Sequence, residues 1–178
     1  DGNPRFEDNG IKIADLDGRQ EDPGVWPDAD GGWFYAWEDF SVDSLGDIYC
    51  TKINADGERV WNRNGGRGVP VVVHAGIQED VRIVGDGQGG CIIAWRDMRG
   101  GDTGDLYAMH ILNDGRPDPD WEANGIVIVA EPGAQTSHTA DIDGAGGMII
   151  GWKDGRIVGN ADIWAQRISP NGDLHWGD

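Results

Sequence analysis

Residues 86–99 read DGQGGCIIAWRDMR, and this stretch decides the fold. Its Asp-Gly turn separates a short apolar run, residues 81–84, from a second one, residues 91–96. A turn of this composition between two apolar runs is typical of a β-hairpin. Two further strands are predicted downstream, over residues 106–112 and 126–129. The stretch and its surroundings therefore predict one four-stranded antiparallel meander.

The meander belongs to a repeat with a period close to 57 residues. A Gly-Gly pair, a tryptophan and a triplet of the form Asp-aliphatic-aromatic recur in one register, which indicates three copies of one supersecondary unit. The markers are Gly31-Gly32, Gly89-Gly90 and Gly146-Gly147, then Trp37, Trp95 and Trp152, then the triplets that begin at Asp47, Asp105 and Asp162.

Side-chain alternation along the second strand of each unit shows how the sheets are buried, because successive residues of a strand point to opposite faces. In the second unit one face carries Cys91, Ile93 and Trp95, and the other carries Ile92 and Ala94. Both faces are apolar, whereas a strand of a two-sheet sandwich shows one polar face. Repeated sheets that are covered on both sides are typical of radial blades. We therefore predict an all-β fold of the β-propeller type.

The repeat divides the chain into four segments. Residues 20–77 and 78–134 are predicted to be two complete blades, and residues 135–178 a third blade without its fourth strand. Residues 1–19 align with the turn and fourth strand of the other units, so they are expected to complete a split blade. Propellers close with about four to eight blades. Completion is expected from a two-fold dimer, from strand donation in an open filament, or from further repeats of a longer array.

The pattern DGxGGxIIAWxDxR, followed by DIYAxRI and then by DG and W, resembles the tandem β-propeller repeats of large secreted bacterial proteins. The hairpins that end at Trp61 and Trp176 are also similar to the Asp-box turn of sialidase-like propellers, with the glycine one place early. The resemblance covers nearly the whole chain. It implies the blade fold and a secreted location, and it implies no catalytic residue, because the box is structural in that family.

The composition excludes several classes of partner. With 14 basic and 32 acidic side chains the net charge is −18, which disfavours nucleic acid and anionic membrane surfaces. No apolar run is long enough to insert into a bilayer. Only Cys50 and Cys91 are present, and they are expected to be buried free thiols or, alternatively, one bridge between neighbouring blades.

Aspartate recurs at fixed positions of the repeat, and Asp-Gly turn chemistry explains most of these residues. The alternative is cation binding, because Asp-Ala-Asp at 28–30 and Asp-Ile-Asp at 141–143 place carboxylates and free carbonyls in tight turns. On that interpretation Ca²⁺ is expected at five carboxylates, namely Asp28, Asp30, Asp86, Asp141 and Asp143.

Four side chains are candidates for binding a ligand. Trp26 and Trp33 lie near acidic turns, where a flat indole can stack on a sugar. Arg99 and Arg156 follow an aspartate by two residues, and each is expected either to bind a ligand at the rim or to close a local ion pair. Six other tryptophans are predicted to belong to the core, namely Trp37, Trp61, Trp95, Trp121, Trp152 and Trp176.

These features predict a non-enzymatic extracellular binding or adhesion module that recognises a surface glycan or polymer, is stabilised by cations and is completed by oligomerisation. One alternative is a structural subunit whose partner is itself, in a ring or a filament. A second is a glycoside-cleaving enzyme, since such a reaction needs only two suitably spaced carboxylates. The sequence contains no serine-nucleophile elbow, phosphate-binding loop or dinucleotide fingerprint.

Overall fold

Antiparallel β-strands form nearly all of the regular structure in the computed structural model, which describes residues 10–62, 64–101 and 103–177. The chain is therefore all-β, as predicted. A short 3-10 helix, Asn64–Gly66, precedes the fourth strand. Within the described ranges, no helix is long and apolar enough to cross a membrane.

The strands form three sheets in which neighbours along the chain are neighbours in space. The first sheet consists of β1 (Gln20–Pro27), β2 (Trp33–Asp39), β3 (Asp47–Ile53) and β4 (Val69–Val72). The second consists of β5 (Gln78–Gly85), β6 (Cys91–Asp97), β7 (Asp105–Ile111) and β8 (Ile126–Val129). The third consists of β9 (Gln135–Ile142), β10 (Met148–Ile157) and β11 (Asn160–Ile168). The meander predicted for the second repeat is confirmed, with a first strand longer than expected.

Residues 10–19 form no strand. The fourth strand predicted for residues 1–19 falls in part on residues 1–9, which lie outside the described residues. Ile13 and Ala14 line one cavity together with Tyr35 and Trp37 of β2. In the described part of the chain the third sheet has three strands, with β11 at its edge. The division into a split blade stays a prediction.

The Gly-Gly pair before each second strand has two distinct roles, which the second repeat illustrates. Gly89 adopts φ 91°, a left-handed conformation that glycine tolerates best. A Cβ atom at Gly90 would lie 2.4 Å from the carbonyl oxygen of Ile111. The first glycine therefore makes the turn, and the second lets the chain approach the third strand.

The first strands of the three sheets are neighbours, because β1 contacts β5 and β5 contacts β9. Each of these strands carries a bulge next to a residue with positive φ: Asp22 at 46°, Asp80 at 59° and Ser137 at 54°. Since the three residues share one repeat position, the bulge is a regular feature of the first strand.

A tryptophan near the end of each of the first two repeats joins its sheet to the next one. The indole N–H of Trp61 donates to the carbonyl of Asn113 at 2.9 Å, and that of Trp121 donates to Pro170 at 3.0 Å. Both faces of β6 are buried between sheets, as the sequence predicted, whereas β2, among the described residues, packs on another sheet with one face only and its Trp33 is exposed.

The core assignment is confirmed for five tryptophans and is wrong for the sixth, Trp176. This side chain is 47% exposed, whereas Trp61 is 3% exposed and Trp121 is 4% exposed. The physical reason is that Trp61 and Trp121 pack on the next sheet along the chain, whereas no described sheet follows the third one. Cys50 and Cys91 are buried and free, as expected.

Candidate functional site

The turns between the first and second strands of all three sheets meet around one cavity of about 390 Å³. The turns come together because the first strands are neighbours. The cavity is lined mainly by apolar groups, together with two aspartates and several glycines. Its lining includes Trp26, Pro27, Asp28, Phe34, Asp86 and Ile142.

Trp26 forms one wall of this cavity. It lies near the end of β1, opposite Phe34 of β2. A Cβ atom at Gly85 of the neighbouring sheet would lie 3.1 Å from Cδ1 of Trp26. The missing side chain at position 85 therefore lets the indole lie directly against the backbone of β5, with part of its surface accessible.

Each turn aspartate, meaning Asp28, Asp86 or Asp143, binds a basic side chain of the third strand in its own sheet. The distances are 2.9 Å from Asp28 to Lys52, 3.0 Å from Asp86 to His110 and 2.9 Å from Asp143 to Arg167. Sequence reasoning missed these pairs. The sequence does indicate them, because a basic residue recurs at one position of the repeat, as Lys52, His110 and Arg167.

Two of the turn aspartates, Asp86 and Asp143, also hold the backbone of their own turns. Asp86 Oδ1 accepts hydrogen bonds from the N–H groups of Gln88 and Gly90, and Asp143 Oδ1 accepts two from Ala145 and Gly147. Burial opposes ionisation of Asp86, but the hydrogen bonds from His110 and these N–H groups outweigh burial and lower its pKa. This bonding gives the carboxylate a structural role.

His110 lies between two carboxylates. Its Nε2 faces Asp86 at 3.0 Å and its Nδ1 faces Asp118 at 2.9 Å. Burial by itself would lower the pKa of His110, yet the hydrogen bonds and charges of the two aspartates outweigh burial and raise it. The imidazole therefore occupies the place that Lys52 has in the first sheet.

The remaining carboxylates predicted to bind calcium lie outside these pairs. Asp30 and Asp141 are exposed. Asp141 Oδ1 accepts the backbone N–H of Ile142. Over the described ranges, no three or more His, Cys, Asp and Glu side chains are grouped so as to hold a metal ion. Calcium binding at the five predicted carboxylates stays a prediction.

Arg99 and Arg156 lie away from the cavity, and the local ion-pair interpretation is confirmed for both. Arg99 contacts Asp97 at 2.5 Å, and Arg156 contacts Asp154 at 2.7 Å. The same two aspartates accept the indole N–H of Trp95 and Trp152. Each guanidinium also lies over an aromatic ring, at 4.2 Å from Tyr107 for Arg99 and 4.0 Å from Trp164 for Arg156.

Of the four predicted ligand residues, Trp26 alone lines the cavity; Trp33 is 44% exposed and is not among the lining residues. The structure thus brings together Trp26, Asp28 and Asp86, with the turn of Asp143 beside them. It does not bring Trp33, Arg99 or Arg156 to the same place.

A buried acid that sequence reasoning missed lies on β2. Glu38 accepts the backbone N–H of Asp80 at 2.8 Å, across the contact between the first two sheets. Burial raises the pKa of Glu38 to about 7; the N–H of Asp80 opposes this rise, and the charges of Asp22, Glu79 and Asp80 add to it. The sequence does contain one signal: Glu38 is an acid at the repeat position where the other two repeats carry the basic residues Arg96 and Lys153.

Comparison with known proteins assigns no family to this chain. No family model and no curated protein sequence matches it. Among solved structures, an endo-arabinase from Bacteroides thetaiotaomicron is similar over 82% of this chain and 55% of the enzyme's chain, with a TM-score of 0.48 and 12% identity. The chain therefore spans about half the length of that structure, and the likeness is too weak to carry an argument about function.

Proposed function

We propose that this chain is a non-enzymatic carbohydrate-binding module made of β-propeller-type repeats, and that the cavity between the three turns holds the sugar. The observation that carries the proposal is the position of Trp26, whose indole forms a wall of a 390 Å³ cavity next to Asp28 and Asp86. Concave sites that combine an aromatic wall with a few polar groups are typical of small-ligand binding.

The chemistry of the cavity suits a sugar ring. A pyranose or furanose has an apolar C–H face that can stack on an indole, and its hydroxyl groups need hydrogen-bond partners at the edge. Asp28 and Asp86 are already bound by Lys52 and His110. We therefore expect the hydroxyls to bond chiefly to the backbone of the glycine-rich turns, two of which are held in place by Asp86 and Asp143.

The charge of the chain narrows the class of glycan. At a net charge of −18 the protein repels polyanions. We therefore propose a neutral glycan in preference to a uronic-acid or sulfated polymer. A secreted location belongs to the same proposal and is supported by the resemblance of the repeats to those of secreted proteins.

Replacing Trp26 by alanine tests the site. The variant should bind a glycan recognised by the wild-type chain about tenfold more weakly or worse, since losing a stacked aromatic contact costs on the order of 1.4 kcal/mol. The measurement is a glycan array followed by titration calorimetry. Trp33→Ala is the matched control, because Trp33 is an exposed tryptophan of the same sheet that does not line the cavity. It should bind like wild type.

Equal binding by Trp26→Ala and wild type would remove the cavity as the sugar site. Release of sugar from a panel of glycosides would instead support the enzyme alternative. Silence of the folded protein on both the array and the panel would leave the structural subunit as the better account.

A separate experiment tests whether the folded chain binds calcium. Basic side chains already contact Asp28, Asp86 and Asp143, so a Ca²⁺ ion would have to displace them or bind at the exposed Asp30 and Asp141. If the predicted Ca²⁺ sites are occupied, the Tm should be higher in calcium than in chelator, because the ion binds the folded state. Superimposable melts would remove Ca²⁺ as a cofactor.

A further inference from the structure

Each sheet has two faces. We call the face that packs on the following repeat in the first two sheets, and the corresponding face of the third sheet, the trailing face. The trailing face carries Ile48 and Cys50 in the first sheet, Leu106 and Ala108 in the second, and Ile163 and Ala165 in the third. The leading face is the opposite one and carries Trp33 and Tyr35 in the first sheet and Cys91 and Ile93 in the second.

The trailing face is buried in two sheets and exposed in the third. Ile48, Cys50, Leu106 and Ala108 have no measurable exposure, because the next repeat packs on them. Ile163, at the position of Ile48 and Leu106, is 82% exposed, and Ala165 is exposed as well. The third sheet therefore presents an apolar surface that the other two sheets bury.

Hydrogen bonds that cross between sheets identify what covers a trailing face. Lys52 of the first sheet donates to the carbonyl of Gly89 in the second at 3.1 Å. In addition, Trp61 and Trp121 donate to the turn that follows the third strand of the next repeat, at Asn113 and Pro170. In each case the cover is the leading face and adjoining turn of another repeat.

Trp176 is positioned to make the same bond. Gln166 donates to the backbone carbonyl of Trp176 and accepts its N–H, both at 2.7 Å, as Thr51 donates to the carbonyl of Trp61. The backbone at Trp176 is thus held in the position of its repeat. Its indole N–H donates to no residue in the described part of the chain.

The matching surface is exposed at the other end of the chain. In the first sheet Trp33 on the leading face is 44% exposed, whereas Cys91 and Met148 at the same position are fully buried. The carbonyl that corresponds to Asn113 and Pro170 belongs to Ala55, which is exposed at its turn.

We propose that the trailing face of the third sheet binds the leading face of the first sheet in a second copy of this chain. Ile163 and Ala165 then pack on Trp33 and Tyr35 of the partner copy, and the indole of Trp176 donates to the carbonyl of its Ala55. The contact joins two different faces, so repeating it makes a closed ring where the rotation closes and an open filament where it does not. The inference rests on the proposed propeller-type arrangement and is independent of the sugar site.

Light scattering and sedimentation of the 178-residue chain over a wide concentration range test the contact. We expect a mass above that of the 19.2 kDa chain, and an association constant lowered at least about tenfold by Ile163→Asp or by Trp176→Ala. Val158→Asp is the matched control, since Val158 is an exposed residue of the same sheet in the tight β10–β11 turn. It should assemble like wild type.

Circular dichroism of each variant separates failure to assemble from failure to fold. Because Ile163 and Trp176 are exposed, both variants should keep the wild-type spectrum. A wild-type chain that stays monomeric at every concentration, or an Ile163→Asp variant that assembles normally, would overturn the proposal. Trp26→Ala distinguishes the two sites: it should lose sugar binding and keep the assembled mass.

Discussion

Trp121→Ala is expected to lower the free energy of unfolding by about 3–5 kcal/mol, the usual cost of emptying a buried tryptophan site. The side chain is almost fully buried between the second and third sheets. Its indole N–H bonds the carbonyl of Pro170, and its ring lies against Gly172, where an added Cβ would be 3.3 Å away. Truncation therefore removes packing and also leaves the Pro170 carbonyl without this donor.

Urea unfolding at neutral pH measures this loss, and the corresponding fall in Tm is on the order of 10 °C for a chain of this size. Trp176→Ala is the control at the same repeat position, with its side chain exposed in the single chain. At concentrations where the chain is monomeric, it should cost less than about 1 kcal/mol. Equal losses in the two variants would show that Trp121 does not join the sheets as described.

Glu38→Gln is expected to stabilise the protein at alkaline pH and to have little effect near pH 4.5. The pKa of Glu38 rises from an ordinary 4.5 to about 7 in the folded chain. Between these values the folded state holds a proton that the unfolded state releases. The contribution of Glu38 is therefore fully present below about pH 4.5 and is lost as the pH rises through about 7.

Glutamine keeps the oxygen that accepts the N–H of Asp80 and does not ionise beside Asp22 and Glu79. At pH 8 we expect the variant to be more stable than wild type by on the order of 2 kcal/mol. Unfolding curves at a series of pH values measure the difference. Glu58→Gln, at an exposed acid of the same repeat, should show no such trend. A constant difference between Glu38→Gln and wild type across the pH range would contradict the buried, protonated acid.

The alternative roles of the recurring aspartates could not be separated from the sequence. Asp86 occupies a turn suited equally to backbone capping and to a hard cation. Its bond to His110 depends on the register between the first hairpin and the third strand, a contact 24 residues away along the chain. The same limit applies to Glu38, whose pKa depends on the neighbouring sheet.

Trp26 and Trp33 show the same limit for the proposed ligand site. Trp26 precedes an acidic turn of the first repeat and Trp33 follows it, so the sequence does not distinguish their roles. The structure places Trp26 in the cavity because Gly85 of the next sheet leaves room for the indole. Trp33 instead lies on the leading face, which no described repeat covers.

The sequence by itself determined the repeat, the strand order within it and the turns, because these follow from side-chain alternation and from residues such as Gly89 that act on their own backbone. It also predicted that both faces of the second strands are buried, since both are apolar, and this holds for β6 but not for β2 and β10. Only the tertiary structure decided which basic residue neutralises each turn aspartate, which tryptophan reaches the cavity and which face stays exposed. These outcomes depend on how one sheet packs against the next, and a local sequence pattern does not determine that packing.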